Sequence, residues 1–168
     1  MALAYDADKV KGAPKSWADF WDLKKYPGQR GRRRSAKYTL EIALLADSVA
    51  PADVYKILAT KQGVDRAFSK LDQIKRDIVW WQAAAEPALF LTDGIFVMTS
   101  AYTLWIDRDQ QQNKYLKTAW GGSLYDVDSC LSVAKRSGPY EPDCAFFLEW
   151  VGQSPNCVCR GCLRHFRR

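Results

Sequence analysis

Up to residue 74 the apolar residues of this 168-residue chain recur at intervals of three and four, whereas from residue 77 they gather into short runs rich in β-branched and aromatic side chains. The first pattern predicts helices and the second strands. Ser16 followed by Asp19 has the form of a helix N-cap, and Trp17, Phe20 and Trp21 fall on one face of a short helix that ends before Pro27-Gly28. Residues 36–46 are rich in helix formers, and after a break Pro51 opens a further helix through residue 58. Val64, Ala67, Phe68, Leu71 and Ile74 then trace a third apolar stripe. Helical stripes are normally buried, so Trp17, Phe20, Phe68 and Phe146 are expected in the core.

The segment from Asp77 to Asp128 is the most informative. Asp77-Ile-Val-Trp-Trp81 reads as a strand, Pro87 and Gly94 bracket a helix, and residues 95–102 read as a second strand ending on Tyr102. Residues 104–113 turn polar, as in an exposed helix or its end, and strand character returns over 116–120 before Gly121-Gly122. Residues 127–134 read as another strand and 143–151 as a further amphipathic helix. The order is mixed α/β. Ligands gather beyond the carboxyl ends of strands in open α/β sheets, so an aromatic at one strand end, with Asp126 and Asp128 near another, suggests a pocket for an organic cation.

The net charge of +6 narrows the choice of partner. Four positive charges lie between Arg30 and Arg34 and four more between Arg160 and Arg168; without these eight, 17 Lys and Arg face 19 Asp and Glu. A nucleic-acid binder spreads basic charge along a face, so no nucleic-acid partner is expected, and the Arg30 to Arg34 cluster beside its glycines reads as a solvated turn. The sole histidine, His165, lies in the tail, and no phosphate-cradling glycine loop is present, so neither nucleophilic nor nucleotide chemistry has its usual parts. No enzyme and no cofactor are expected. Cys157, Cys159, Cys162 and His165 are sufficient donors for a zinc ion, although their spacing is tighter than that of two separated ligand pairs. No apolar run reaches the length of a membrane span, and the start lacks the pattern of a secretion signal.

Several segments together carry a family likeness. Ser16-Trp-Ala-Asp-Phe-Trp21, Tyr26-Pro-Gly-Gln-Arg30, Leu40-Glu-Ile-Ala-Leu-Leu-Ala-Asp47, Val79-Trp-Trp81, Leu91-Thr-Asp-Gly94, Val97-Met-Thr-Ser-Ala-Tyr102 and Tyr125-Asp-Val-Asp-Ser129 resemble, in order and spacing, the spermidine/putrescine-type periplasmic solute-binding proteins of ABC transporters. The resemblance implies a periplasmic-binding-protein type II lobe, a mixed sheet flanked by helices in an incomplete two-lobed fold. Residues 1–122 correspond to the second lobe, 123–156 to a crossover and helix belonging to the first, and 157–168 to an atypical Cys/Arg-rich tail, as in a truncated or frameshifted product. It also implies a monomer that binds a polyamine such as putrescine or spermidine in an interlobe cleft and delivers it to a membrane permease, with a periplasmic location.

Carried over residue by residue, Tyr102 stands where the family stacks a ring on the alkylammonium chain, and Asp128 where it places a carboxylate. Asp126 replaces a second aromatic. Tyr38 and Ser35 occupy positions that are acidic in some spermidine binders, Glu86 is either a compensating acid or a helix cap, and Trp105 stands where a smaller or polar residue is usual. The alternative reading is a small α/β interaction or nucleic-acid-binding protein with a zinc-binding Cys/His tail.

Overall fold

In the computed structural model, which describes residues 1–125, five short strands form a mixed sheet flanked by helices. β1 (Ala2–Asp6), β2 (Arg30–Arg33), β3 (Ile78–Trp81), β4 (Met98–Ala101) and β5 (Leu116–Ala119) lie in the order β3-β2-β4-β1-β5. β2 is parallel to β3 and β4, and β1 is antiparallel to β4 and β5. Parallel neighbours need long crossovers, and helices supply them. α1 (Trp17–Trp21) precedes β2; α2 (Thr39–Ala46), α3 (Val54–Leu58) and α4 (Lys61–Asp72) link β2 to β3; α5 (Glu86–Thr92) links β3 to β4; and α6 (Thr103–Gln110) leads to β5. The carboxyl ends of β2, β3 and β4 therefore share one edge, at Arg33, Trp81 and Ala101.

The helical patterns fold as their caps and stripes dictate. Asp19 Oδ2 accepts from the backbone N–H groups of Lys15 (2.8 Å) and Ser16 (3.3 Å), closing the first turn of α1. Trp17 and Phe20 are buried beneath it. Pro51 starts a 3-10 turn, Pro51–Asp53, that runs directly into α3. On α4 the buried line is Gly63, Ala67 and Leu71, four residues apart, continued by the buried Ile74. Phe68 lies a hundred-degree step around the helix from Ala67, and it is 53% exposed, contrary to the expected core position.

Two strands lie outside the predicted elements. All five residues of β1 are buried, although Ala2-Leu-Ala-Tyr-Asp6 is too short and too alanine-rich to stand out. β2 overturns the expected solvated turn: Arg30 and Arg32 are 0% exposed. A strand of Arg-Gly-Arg-Arg can be buried because the guanidinium groups find carbonyls and aromatic faces, and because Gly31 has no side chain. A Cβ at Gly31 would lie 2.4 Å from Thr99 Oγ1 and 2.6 Å from the Phe96 ring, so the close approach of β2 to β4 requires glycine. Gly121 has a similar role, since a Cβ there would meet the Lys15 carbonyl at 1.9 Å. The expected strand 127–134, the helix 143–151, Phe146 and the Cys/Arg-rich tail lie outside the described residues.

Candidate functional site

The shared carboxyl edge of the parallel strands is where an open α/β sheet presents a ligand site, and here it is aromatic and cationic. Tyr102 directly follows β4 and is the N-cap of α6, half-buried against the core. Its ring meets Tyr38 edge-on at 6.3 Å and the fully buried Trp81 at 6.4 Å between centroids. Arg33, the last residue of β2, donates from Nη1 to the Tyr102 hydroxyl, and its Cζ lies 5.5 Å from the ring centroid. Tyr38 closes this wall with φ at 68°, in the left-handed region. Such backbone strain costs a residue other than glycine about 1–3 kcal/mol and gathers at functional sites.

The remaining candidates are placed less centrally. Ser35 is half-buried in the loop after β2, its N–H donating to the Arg33 carbonyl at 2.9 Å. Trp105 lies on α6 with the Arg108 guanidinium 5.9 Å from its ring centroid. Glu86 lies at the same sheet edge, but its Oε2 accepts from Gln82 N (2.7 Å) and Ala83 N (2.9 Å), so this oxygen closes the turn between β3 and α5. The structure thus brings Tyr102 and Tyr38 together and gives Glu86 a capping role. Asp126, Asp128, Cys157, Cys159, Cys162 and His165 lie outside the described residues. Among the described residues no cluster of His, Cys, Asp and Glu has metal-site geometry, and no helix is long and apolar enough to cross a membrane.

Arg33, and the buried Trp81 that backs Tyr102, are the parts of this candidate site that sequence reasoning missed. Trp81 was visible as half of a tryptophan pair at a strand end. Arg33 was concealed by its neighbours, which made the segment look like a charged loop.

Beneath the wall lies a layer of buried arginine. Arg30 donates from Nε to the Phe20 carbonyl (2.8 Å), from Nη1 to Gly28 (2.8 Å), and from Nη2 to Tyr26 and to Asp22 (3.4 Å). Burial pushes its guanidinium down to about 10, against the opposing pull of Asp77 and Asp22. Arg32 lies among three rings, with Cζ 5.7 Å from Phe20, 5.9 Å from Trp17 and 6.0 Å from Trp21. Burial pushes it down to about 9, opposed by the charge of Glu41, so both arginines stay charged at neutral pH. Groups so enclosed cannot form a patch for a polyanion.

Comparison with known proteins fits this geometry. Residues 1–157 match the family described as bacterial extracellular solute-binding protein. The chain is 53% identical over 128 residues to the gamma-aminobutyric acid-binding protein of Pseudomonas aeruginosa, a match covering 76% of this chain and 36% of that one. The solved structure of the Atu4243-GABA receptor superposes with a TM-score of 0.64 at 34% identity, over 71% of this chain and 36% of that chain. The spermidine/putrescine ABC transporter substrate-binding protein PotD from Streptococcus pneumoniae shares the fold alone, with a TM-score of 0.58 at 17% identity over 70% of this chain and 34% of that chain. The chain thus spans about a third of the length of each of these relatives. It belongs to the bacterial extracellular solute-binding proteins.

Proposed function

We propose that the chain supplies one wall of a site for a small ω-amino acid of the γ-aminobutyrate kind, in a periplasmic protein that delivers its ligand to an ABC permease. The observation that carries this reading is Arg33, held against Tyr102 at the common end of three parallel strands. A guanidinium pairs with a carboxylate through two parallel hydrogen bonds, and a half-buried one loses less of that attraction to water than a surface group. Tyr102, half-buried and backed by the buried Tyr38 and Trp81, supplies an apolar ring face for the intervening methylenes. The high identity to a γ-aminobutyrate binder supports the same choice.

The polyamine expectation fits this wall less well. A diamine carries a cation at each end, and neither can pair with Arg33. A zwitterion resolves this conflict, leaving its ammonium for an acid elsewhere. Because one wall provides part of the contacts, binding is expected to be weak and in fast exchange. Titration of isotope-labelled protein with γ-aminobutyrate, followed by NMR, should shift the Arg33 side-chain and Tyr102 ring signals. Putrescine should not. Equal shifts with putrescine, or none with γ-aminobutyrate, would overturn the reading.

A further inference from the structure

We propose that Arg32, which lies beneath the ligand wall and not on it, is a positioning residue for Arg33 and acts through Thr39. The inference rests on the reading of Arg33 as the carboxylate partner. Its basis is a short chain of directed bonds. Arg32 Nη2 donates to the Thr39 carbonyl at 3.0 Å, and the Thr39 hydroxyl donates to the Arg33 carbonyl at 3.2 Å. Thr39 is the first residue of α2 and directly follows the strained Tyr38. The end of β2, the Tyr38 turn and the start of α2 are thereby tied at one point.

A purely structural account of Arg32 leaves its cost unexplained. Its Nε and Nη1 are buried without hydrogen-bond partners, and so is Oε2 of the nearby Glu41. A buried charge so poorly satisfied is normally less stable than an apolar side chain of the same volume. Contacts with the three rings hold the guanidinium in place, and its single directed bond among the described residues is the one to Thr39. Fixing that carbonyl orders a turn that carries left-handed strain and would otherwise relax. The turn bears Tyr38, whose ring bounds Tyr102, and the Thr39 hydroxyl reaches the backbone of Arg33 itself.

The test compares Arg32→Lys, Thr39→Val and Thr39→Ser with the wild-type chain. γ-Aminobutyrate affinity is measured by NMR titration well below the unfolding midpoint, alongside thermal unfolding. Thr39→Val removes the hydroxyl at nearly constant volume and should weaken binding about five- to tenfold, the worth of one net hydrogen bond. Thr39→Ser keeps the hydroxyl and should restore wild-type affinity, and Arg32→Lys should weaken binding like Thr39→Val. A merely structural role would lower the midpoint while leaving the affinity of folded protein unchanged, and that result overturns the inference. If Arg32→Lys does not fold, Arg32→Met, which removes the donor at similar volume, takes its place beside the Thr39 pair, and wild-type affinity in folded Arg32→Met overturns the inference. A wild-type chain that gives no γ-aminobutyrate response removes the reading of Arg33 and this inference with it. A responding wild type with equally responsive variants removes the inference alone.

Discussion

Arg33 and Tyr102 are joined twice: the guanidinium donates to the phenolic oxygen, and it also lies 5.5 Å from the ring centroid. The hydroxyl and the ring therefore have separable roles. Tyr102→Phe keeps the ring and its contacts with Tyr38 and Trp81 but removes the acceptor that orients the guanidinium. Stability should change by less than about 1.5 kcal/mol, since one half-buried hydrogen bond is lost. γ-Aminobutyrate affinity should fall by several fold, as read by the NMR titration. Tyr102→Ala should abolish binding. An unchanged affinity in Tyr102→Phe would mean that Arg33 is oriented by something other than this hydroxyl.

Arg30 serves stability. Its guanidinium satisfies the carbonyls of Phe20, Gly28, Tyr26 and Asp22, which bring the end of α1 and the following loop onto β2. Lysine has one ammonium where arginine has a planar fork, so Arg30→Lys leaves some of these acceptors unpaired in the interior. The expected loss is about 2–4 kcal/mol, measured by urea unfolding at neutral pH. A loss under about 0.5 kcal/mol, the range of an ordinary surface substitution, would show that the carbonyls find other donors.

Gly31 admits no side chain. The added methyl of Gly31→Ala would press on Thr99 Oγ1 and the Phe96 ring. Phe96 is fully buried and Thr99 belongs to the neighbouring strand, so neither can move freely. Overpacking of this kind costs about 1–3 kcal/mol. The unfolding midpoint of the variant should fall accordingly. Wild-type stability would mean that β2 and β4 can separate without loss.

The mixed α/β class, the helix caps and the Tyr102 strand end were legible because each rests on a local rule: an N-cap, a proline in a first turn, or a run of β-branched and aromatic residues. β1 was not legible, since five residues with two alanines carry almost no periodicity and their burial is decided by β4 and β5 on either side. β2 was misread for a different reason. Burial of Arg30 and Arg32 depends on carbonyls and rings brought in by α1 and α2, and no hydropathy pattern encodes those partners. Phe68 shows the limit of stripe reading, because residues 64 and 68 flank the line 63, 67 and 71 closely enough to look like part of it. At the site, the aromatic half was visible from sequence and the cationic half was not. That difference is what moves the proposed ligand from a diamine to an amino acid.

Asp19 makes the chain's acid response testable at one carboxylate. Its partial desolvation pulls the carboxyl up, but the Lys15 N–H, the Lys25 ammonium at 3.2 Å and the Ser16 N–H together hold it below its usual range. The folded state thus binds this proton less readily than the unfolded state. Its stabilising contribution is full above the unfolded value of about 3.9 and is lost as pH falls through the lower folded value. Asp19→Asn keeps an oxygen acceptor for the backbone N–H groups while removing the charge. It should cost about 0.3–1 kcal/mol at neutral pH, typical of an acidic residue in a first helical turn. Urea unfolding of both proteins between pH 7 and about pH 2.5 should show the gap closing below about pH 4. A gap that stays constant across that range would assign the effect to hydrogen-bond geometry and remove the charge of Asp19 from the account of α1.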